Sequence, residues 1–129
     1  MIKISKKSQY GLRAMIQLAK SFKAKKICSI KMISENEGIP FDFLEKIISQ
    51  LEKENLVKGK RGATGGYLLG KVPNKISVYD IVSVLEGNKK PVNCAFCKRI
   101  KKCASKNVWA KLEVSLNKTL EKIKLSELI

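Results

Sequence analysis

Three cysteines, Cys94, Cys97 and Cys103, stand close together with the spacing C-x2-C-x5-C, while a fourth, Cys28, is isolated. Thiols at this density either pair as disulfides in an oxidising compartment or hold metal in a reducing one. No apolar run approaches the roughly 20 residues that cross a bilayer, and Met1 to Lys7 lacks the apolar core of a signal peptide. A cytoplasmic location without membrane attachment is therefore expected, and with it metal chemistry at the three clustered thiols. Iron-sulfur, zinc and metal-free thiols all remain open at this point. Cys28 is expected to be a small buried apolar residue. The chain has no histidine, which removes histidine-based acid-base and nucleophilic catalysis, and no enzyme is expected. Two motifs fail on context. Gly65 to Lys71 reads G-x-x-x-x-G-K, but Val72 replaces the magnesium-binding hydroxyl and Pro73 follows where a helix should start. Cys94-Ala-Phe-Cys97 lacks the strand-helix-strand setting of a dithiol oxidoreductase.

A second group of residues has the chemistry of nucleic-acid contact. Across 129 residues, 27 Lys and Arg face 11 Asp and Glu for a net charge of +16, a surplus that favours polyanionic partners. Within it, Asp42, Phe43, Glu45 and Lys46 fall on the polar side of one amphipathic stretch. Glu45 has the acceptors for a cytosine amino group, Lys46 the donors for guanine or phosphate, and Phe43 an apolar edge for a thymine methyl. A solvated face on which Glu45 pairs with Lys46 or Ser49 is the alternative. Further on, Lys58, Lys60 and Arg61 flank a glycine-rich tip in which Gly62 and Gly65 allow close approach to a phosphate backbone.

The elements that must position these groups are legible from periodicity. Leu12, Met15, Ile16 and Ala19 define one face of a helix over Ser5 to Lys20. Ser29 caps a short second helix with Ile30 and Ile33, ended by Gly38. Pro40 suits the first turn of a third helix, whose apolar stripe is Phe41, Leu44, Ile47, Ile48 and Leu51. A short helix, a glycine turn and a longer helix make a helix-turn-helix pattern. Leu56 to Arg61 and Gly66 to Leu69 read as two strands of a hairpin, a candidate wing. Ser77 and Asp80 have capping-box spacing ahead of a helix with Ile81, Val82 and Leu85 that Gly87 ends. Val108, Leu112, Leu116, Leu120 and Ile123 then recur along a helix of nearly twenty residues, and a partner subunit is a natural surface for it. The expected fold is mainly α with a small β-hairpin. A winged helix-turn-helix domain spans residues 1–87, a linker and cysteine loop 88–104, and a dimerisation helix with C-terminal tail 105–129.

Tyr10-Gly-Leu-Arg-Ala-Met15, the Ile39 to Leu51 helix with Leu44-Glu45, and Arg61-Gly-Ala-Thr-Gly-Gly-Tyr67-Leu-Leu together resemble the Rrf2 family of bacterial transcriptional regulators. Val78-x-Asp80-Ile81, the three cysteines, Val108-Trp109 and Leu125-Ser-Glu-Leu128 extend the resemblance over essentially the whole chain. It implies a homodimer joined by the long C-terminal helix and bound to a pseudo-palindromic double-stranded DNA operator, with repression the expected outcome. It also implies base reading by Glu45 and a wing contact by Arg61. Asp42 departs from the small polar residue of the family pattern, so the operator sequence does not carry over. In cluster-binding members three cysteines hold an iron-sulfur cluster, which assigns Cys94, Cys97 and Cys103 as ligands of a two-iron or four-iron cluster. Lys106 stands where one type has a histidine ligand, and Gln9 where another offers a carboxylate from the partner subunit, so the fourth ligand is unassigned. Members that sense through a regulatory protein partner or through thiol oxidation supply the alternative.

Overall fold

The computed structural model describes residues 3–60, 65–87, 98 and 101–129. The first helix, α1 (Lys6–Lys23), starts at Ser5, whose hydroxyl accepts the Ser8 N–H, and runs one turn beyond the sequence expectation. Its buried face is centred on Gly11, Ala14, Met15 and Leu18, with Leu12 and Ile16 only partly covered. Helix α2 (Ile30–Glu37) is capped by Ser29 and stopped by Gly38 at φ 64°, a left-handed position that glycine adopts without strain. Helix α3 (Phe41–Lys53) starts one residue later than expected, because Pro40 has ψ 132° and acts as the N-cap rather than the first helical residue.

Leu44, Ile47, Ile48 and Leu51 of α3 are fully buried, but Phe41 is 46% exposed and does not belong to the expected core stripe. It is the first helical residue, at the end of the stripe, where nearly half of its surface is left to solvent. Strands β1 (Val57–Lys60) and β2 (Gly66–Leu69) pair antiparallel, with Val57 opposite Leu69 and Lys60 opposite Gly66. β1 begins one residue after the expected Leu56. Cys28 extends this hairpin sideways: its N–H donates to the Tyr67 carbonyl at 3.1 Å, and its own carbonyl accepts from Tyr67. That approach requires glycine at 66, where a Cβ would lie 2.6 Å from the Cys28 oxygen.

Helix α4 (Val78–Glu86) opens with the expected reciprocal Ser77–Asp80 capping box and ends at Gly87. It crosses α1 so closely that a Cβ on Gly11 would lie 2.1 Å from a Leu85 methyl. Helix α5 (Lys106–Lys122) contains no buried residue. The segment after it returns to the body: the Val78 N–H donates to the Ile123 carbonyl at 2.9 Å, and the Leu125 N–H to the Ile76 carbonyl at 2.8 Å. Leu125 is fully buried in the same core as Met15, Ile48 and Ile81, worth about 1.5–3 kcal/mol of transfer free energy. The C-terminal tail therefore helps complete the core of the winged helix-turn-helix body. Among the described residues, no helix is long and apolar enough to cross a membrane.

Candidate DNA-binding surface and cysteine region

The position of α3 is fixed from α1. Arg13 sends one guanidinium nitrogen to the Glu37 backbone carbonyl, and its Nε lies 3.8 Å from the Glu37 carboxylate. A cation on the last carbonyls of α2 complements the negative end of that helix and pins the turn leading to α3. The same guanidinium lies over the Tyr10 ring, 5.7 Å from its centroid, and Lys6 lies over that ring at 5.9 Å. Tyr10 in turn meets Phe43 edge-on, with centroids 5.7 Å apart and planes at 80°. Phe43 is thus half-buried against α1, a packing residue at the edge of the surface on which it was expected.

The other three expected helix residues, Asp42, Glu45 and Lys46, are exposed on α3. Among the described residues, neither a hydrogen bond nor an ion pair joins Glu45 to Lys46 or Ser49. A shallow groove runs along this face, lined by Lys7, Glu45, Lys46, Ser49, Gln50 and Lys53. Lys7 enters it from α1, a residue that sequence periodicity did not single out because its proximity to α3 is tertiary.

The hairpin stands next to the C-terminal end of α3. Lys58 and Lys60 are exposed on β1, and between them the Gly59 N–H donates to the Glu52 carboxylate at 3.0 Å. A side chain at 59 would crowd that carboxylate at 2.9 Å and the Tyr67 ring at 3.4 Å. Gly65 is half-buried at the start of the return strand. Arg61 and Gly62 lie outside the described residues, as do Cys94 and Cys97.

Cys103 is half-buried just ahead of α5, with its sulfur 2.9 Å from the Ser105 hydroxyl. The donor set of three thiols suits iron, a soft match that oxygen donors would not give. Lys106 opens α5, and Gln9 uses its amide to donate to the Ile4 carbonyl at 2.8 Å. Along α5, Val108 (56% exposed), Trp109, Val114 (50%) and Leu116 leave apolar surface uncovered.

Two features escaped the sequence. The burial of Cys28 was expected, but not that its backbone carries the bridge to the wing or that its sulfur lies 2.6 Å from the Ser21 hydroxyl. Glu86, the last residue of α4, accepts from the Ser5 N–H at 3.0 Å, the Ser5 hydroxyl at 2.5 Å and the Ser8 hydroxyl at 2.6 Å. A carboxylate at the N-terminus of α1 also complements the positive end of that helix. The only signal for it was Ser8, a polar residue on the buried face of α1.

The family model described as an iron-dependent transcriptional regulator, Rrf2, matches residues 4–129. The HTH-type transcriptional regulator CymR of Bacillus subtilis is 35% identical over 127 residues, covering 98% of this chain and 89% of its own length. The structure of IscR from T. potens superposes with a TM-score of 0.82 at 38% identity, over 98% of this chain and 85% of that one. The B. subtilis CymR structure, described as the global cysteine regulator, gives 0.85 at 36% identity, over 99% and 96%.

Proposed function

The chain belongs to the Rrf2 family of DNA-binding transcriptional regulators, which are not enzymes, and we propose that it is a homodimeric repressor whose grip on its operator is set by an iron-sulfur cluster. The observation that carries the DNA half is the exposed face of α3. Asp42, Glu45 and Lys46 stand open on a helix braced by Arg13, beside a hairpin that presents Lys58 and Lys60. In this reading α3 enters the major groove, where Glu45 accepts from a cytosine amino group and Lys46 donates to guanine or phosphate. Lys58, Lys60 and Arg61, with Gly62 and Gly65 at the tip, follow the backbone as positioning contacts. Phe43 contributes by holding the first turn of α3 against Tyr10. The uncovered apolar side of α5 supports pairing with a second copy.

Cys94, Cys97 and Cys103 are the proposed ligands. A bound cluster would supply a redox-sensitive and oxygen-sensitive centre next to α5. Cys103 precedes α5 directly, and the tail after α5 is hydrogen-bonded to the start of α4, so a change at the thiols has a connected route to the body. Protein purified without oxygen should contain iron and sulfide and absorb in the visible. The Cys94→Ser/Cys97→Ser/Cys103→Ser variant should lose the iron and bind the operator with altered affinity. Protein without iron whose triple variant binds DNA like the wild type would refute the sensing half.

A second reading is favoured by one finding: the relative with the TM-score of 0.85 is described as a cysteine regulator. In that reading the thiols act without metal, and a partner protein or thiol oxidation sets DNA affinity. Iron-free protein whose operator affinity changes on mild oxidation, and no longer does so in the triple variant, would select it.

A further inference from the structure

The exposed face of α3 continues past Lys46. Ser49 is also exposed, and Asp42, Glu45, Lys46 and Ser49 fall at i, i+3, i+4 and i+7. That is the spacing by which a helix lying in a major groove presents side chains to successive base pairs. Alongside this row, the groove on α3 continues over Gln50 and Lys53 and is closed on one side by Lys7 of α1. Three of its six lining residues are lysines, and among the described residues none of the three is ion-paired. Its charge therefore suits a polyanion, and two separate helices supply it.

Within the groove, the side-chain oxygen of Gln50 is shielded from water yet accepts no hydrogen bond from any described residue. Shielded polar atoms in folded proteins nearly always have a partner, so this oxygen gives up no hydrogen bond when the half-buried side chain turns out into the groove, where a donor on the ligand can satisfy it. A glutamine amide in the major groove matches adenine: its oxygen accepts from the N6 amino group while its nitrogen donates to N7. Lys7, which lines the same groove from α1, is a flexible cation of the kind that contacts phosphate.

Resting on the reading of α3 as the recognition helix, we propose that Gln50 is a further specificity-determining residue. It contacts an adenine beyond the base pair met by Glu45, while Lys7 holds the neighbouring phosphate. The contact reaches the DNA from the third turn of α3, and the phosphate is held from outside the helix-turn-helix itself.

Selection of duplexes from a randomised library by the full-length protein gives the wild-type motif, and the same selection is run on variants. Gln50→Ala should erase an adenine preference of about tenfold or more at one position, distinct from the position relaxed by Glu45→Ala. Gln50→Glu keeps the acceptor and loses the amide donors, so the preference there should switch to cytosine. Lys7→Ala should keep the motif, weaken all sequences equally, and reduce the slope of log affinity against log salt by about 0.9. A motif that changes with Glu45→Ala but not with either Gln50 variant, or an unchanged salt slope for Lys7→Ala, would overturn this inference and leave the reading of α3 intact. A wild-type protein that selects no motif would overturn both.

Discussion

Replacing Glu86 with alanine should cost about 2–3 kcal/mol of stability, a large effect for one partly exposed residue. The carboxylate receives the Ser5 N–H and the hydroxyls of Ser5 and Ser8, all on the same oxygen. Hydrogen bonds to a charged group are worth about 1.5–3 kcal/mol each, but three donors sharing one atom do not each contribute in full. Water reaches the partly exposed carboxylate and offsets more. What water cannot replace is the acceptor for Ser8, which is 1% exposed and would keep only the long 3.4 Å contact from the Ser5 hydroxyl. Thermal unfolding followed by circular dichroism, at fixed protein concentration, reads the loss. For a chain of this size about 3–5 °C accompanies each kcal/mol, so the midpoint should fall by about 6–15 °C. Glu86→Gln, which keeps an acceptor without the charge, should recover about half. The cycle of Ser8→Ala, Glu86→Ala and the double variant should show about 1 kcal/mol or more of coupling. Additive single effects, or a Glu86→Ala midpoint within 2 °C of wild type (about 0.5 kcal/mol at this size), would refute the proposed role of the carboxylate as a latch between α1 and α4.

Gly66→Ala should destabilise by about 2 kcal/mol or more, read by urea unfolding, because its Cβ would meet the Cys28 backbone and force the bridge to β2 apart. Leu116→Glu, on the uncovered side of α5, should shift the protein from dimer to monomer in sedimentation and weaken operator binding more than binding to a half-site.

The parts of this fold that sequence reveals are those decided within a few residues. Ser29 and Gly38 bracket α2, and Ser77 with Asp80 opens α4, because a cap and its target N–H are close neighbours in the chain. Periodicity identified Leu44, Ile47, Ile48 and Leu51, but not where their stripe stops being covered, so Phe41 was grouped with them. Its helical position off the apolar stripe placed Phe43 with Glu45, whereas its surroundings are set by Tyr10 on another helix. The Glu86 latch joins residues some eighty positions apart, and the Cys28 bridge depends on where β2 passes; no local pattern encodes either. Of the proposed site, Glu45, Lys46, Lys58 and Lys60 were legible as charges on exposed faces. Lys7 and Gln50 became visible only once α1 and α3 were placed side by side.

Recognition of DNA by this protein rests on a division of labour between α3 and the wing. Binding to a selected operator and to random duplex, measured across a range of salt, tests it with Glu45→Ala and with Lys58→Ala/Lys60→Ala. The lysine variant should weaken both duplexes alike and reduce the salt slope by up to about 1.8, two phosphate contacts at about 0.9 each. Glu45→Ala should lose about 1–3 kcal/mol on the operator alone, with its salt slope unchanged. Equal losses by Glu45→Ala on operator and random DNA would contradict the assignment of α3 as the reader of sequence.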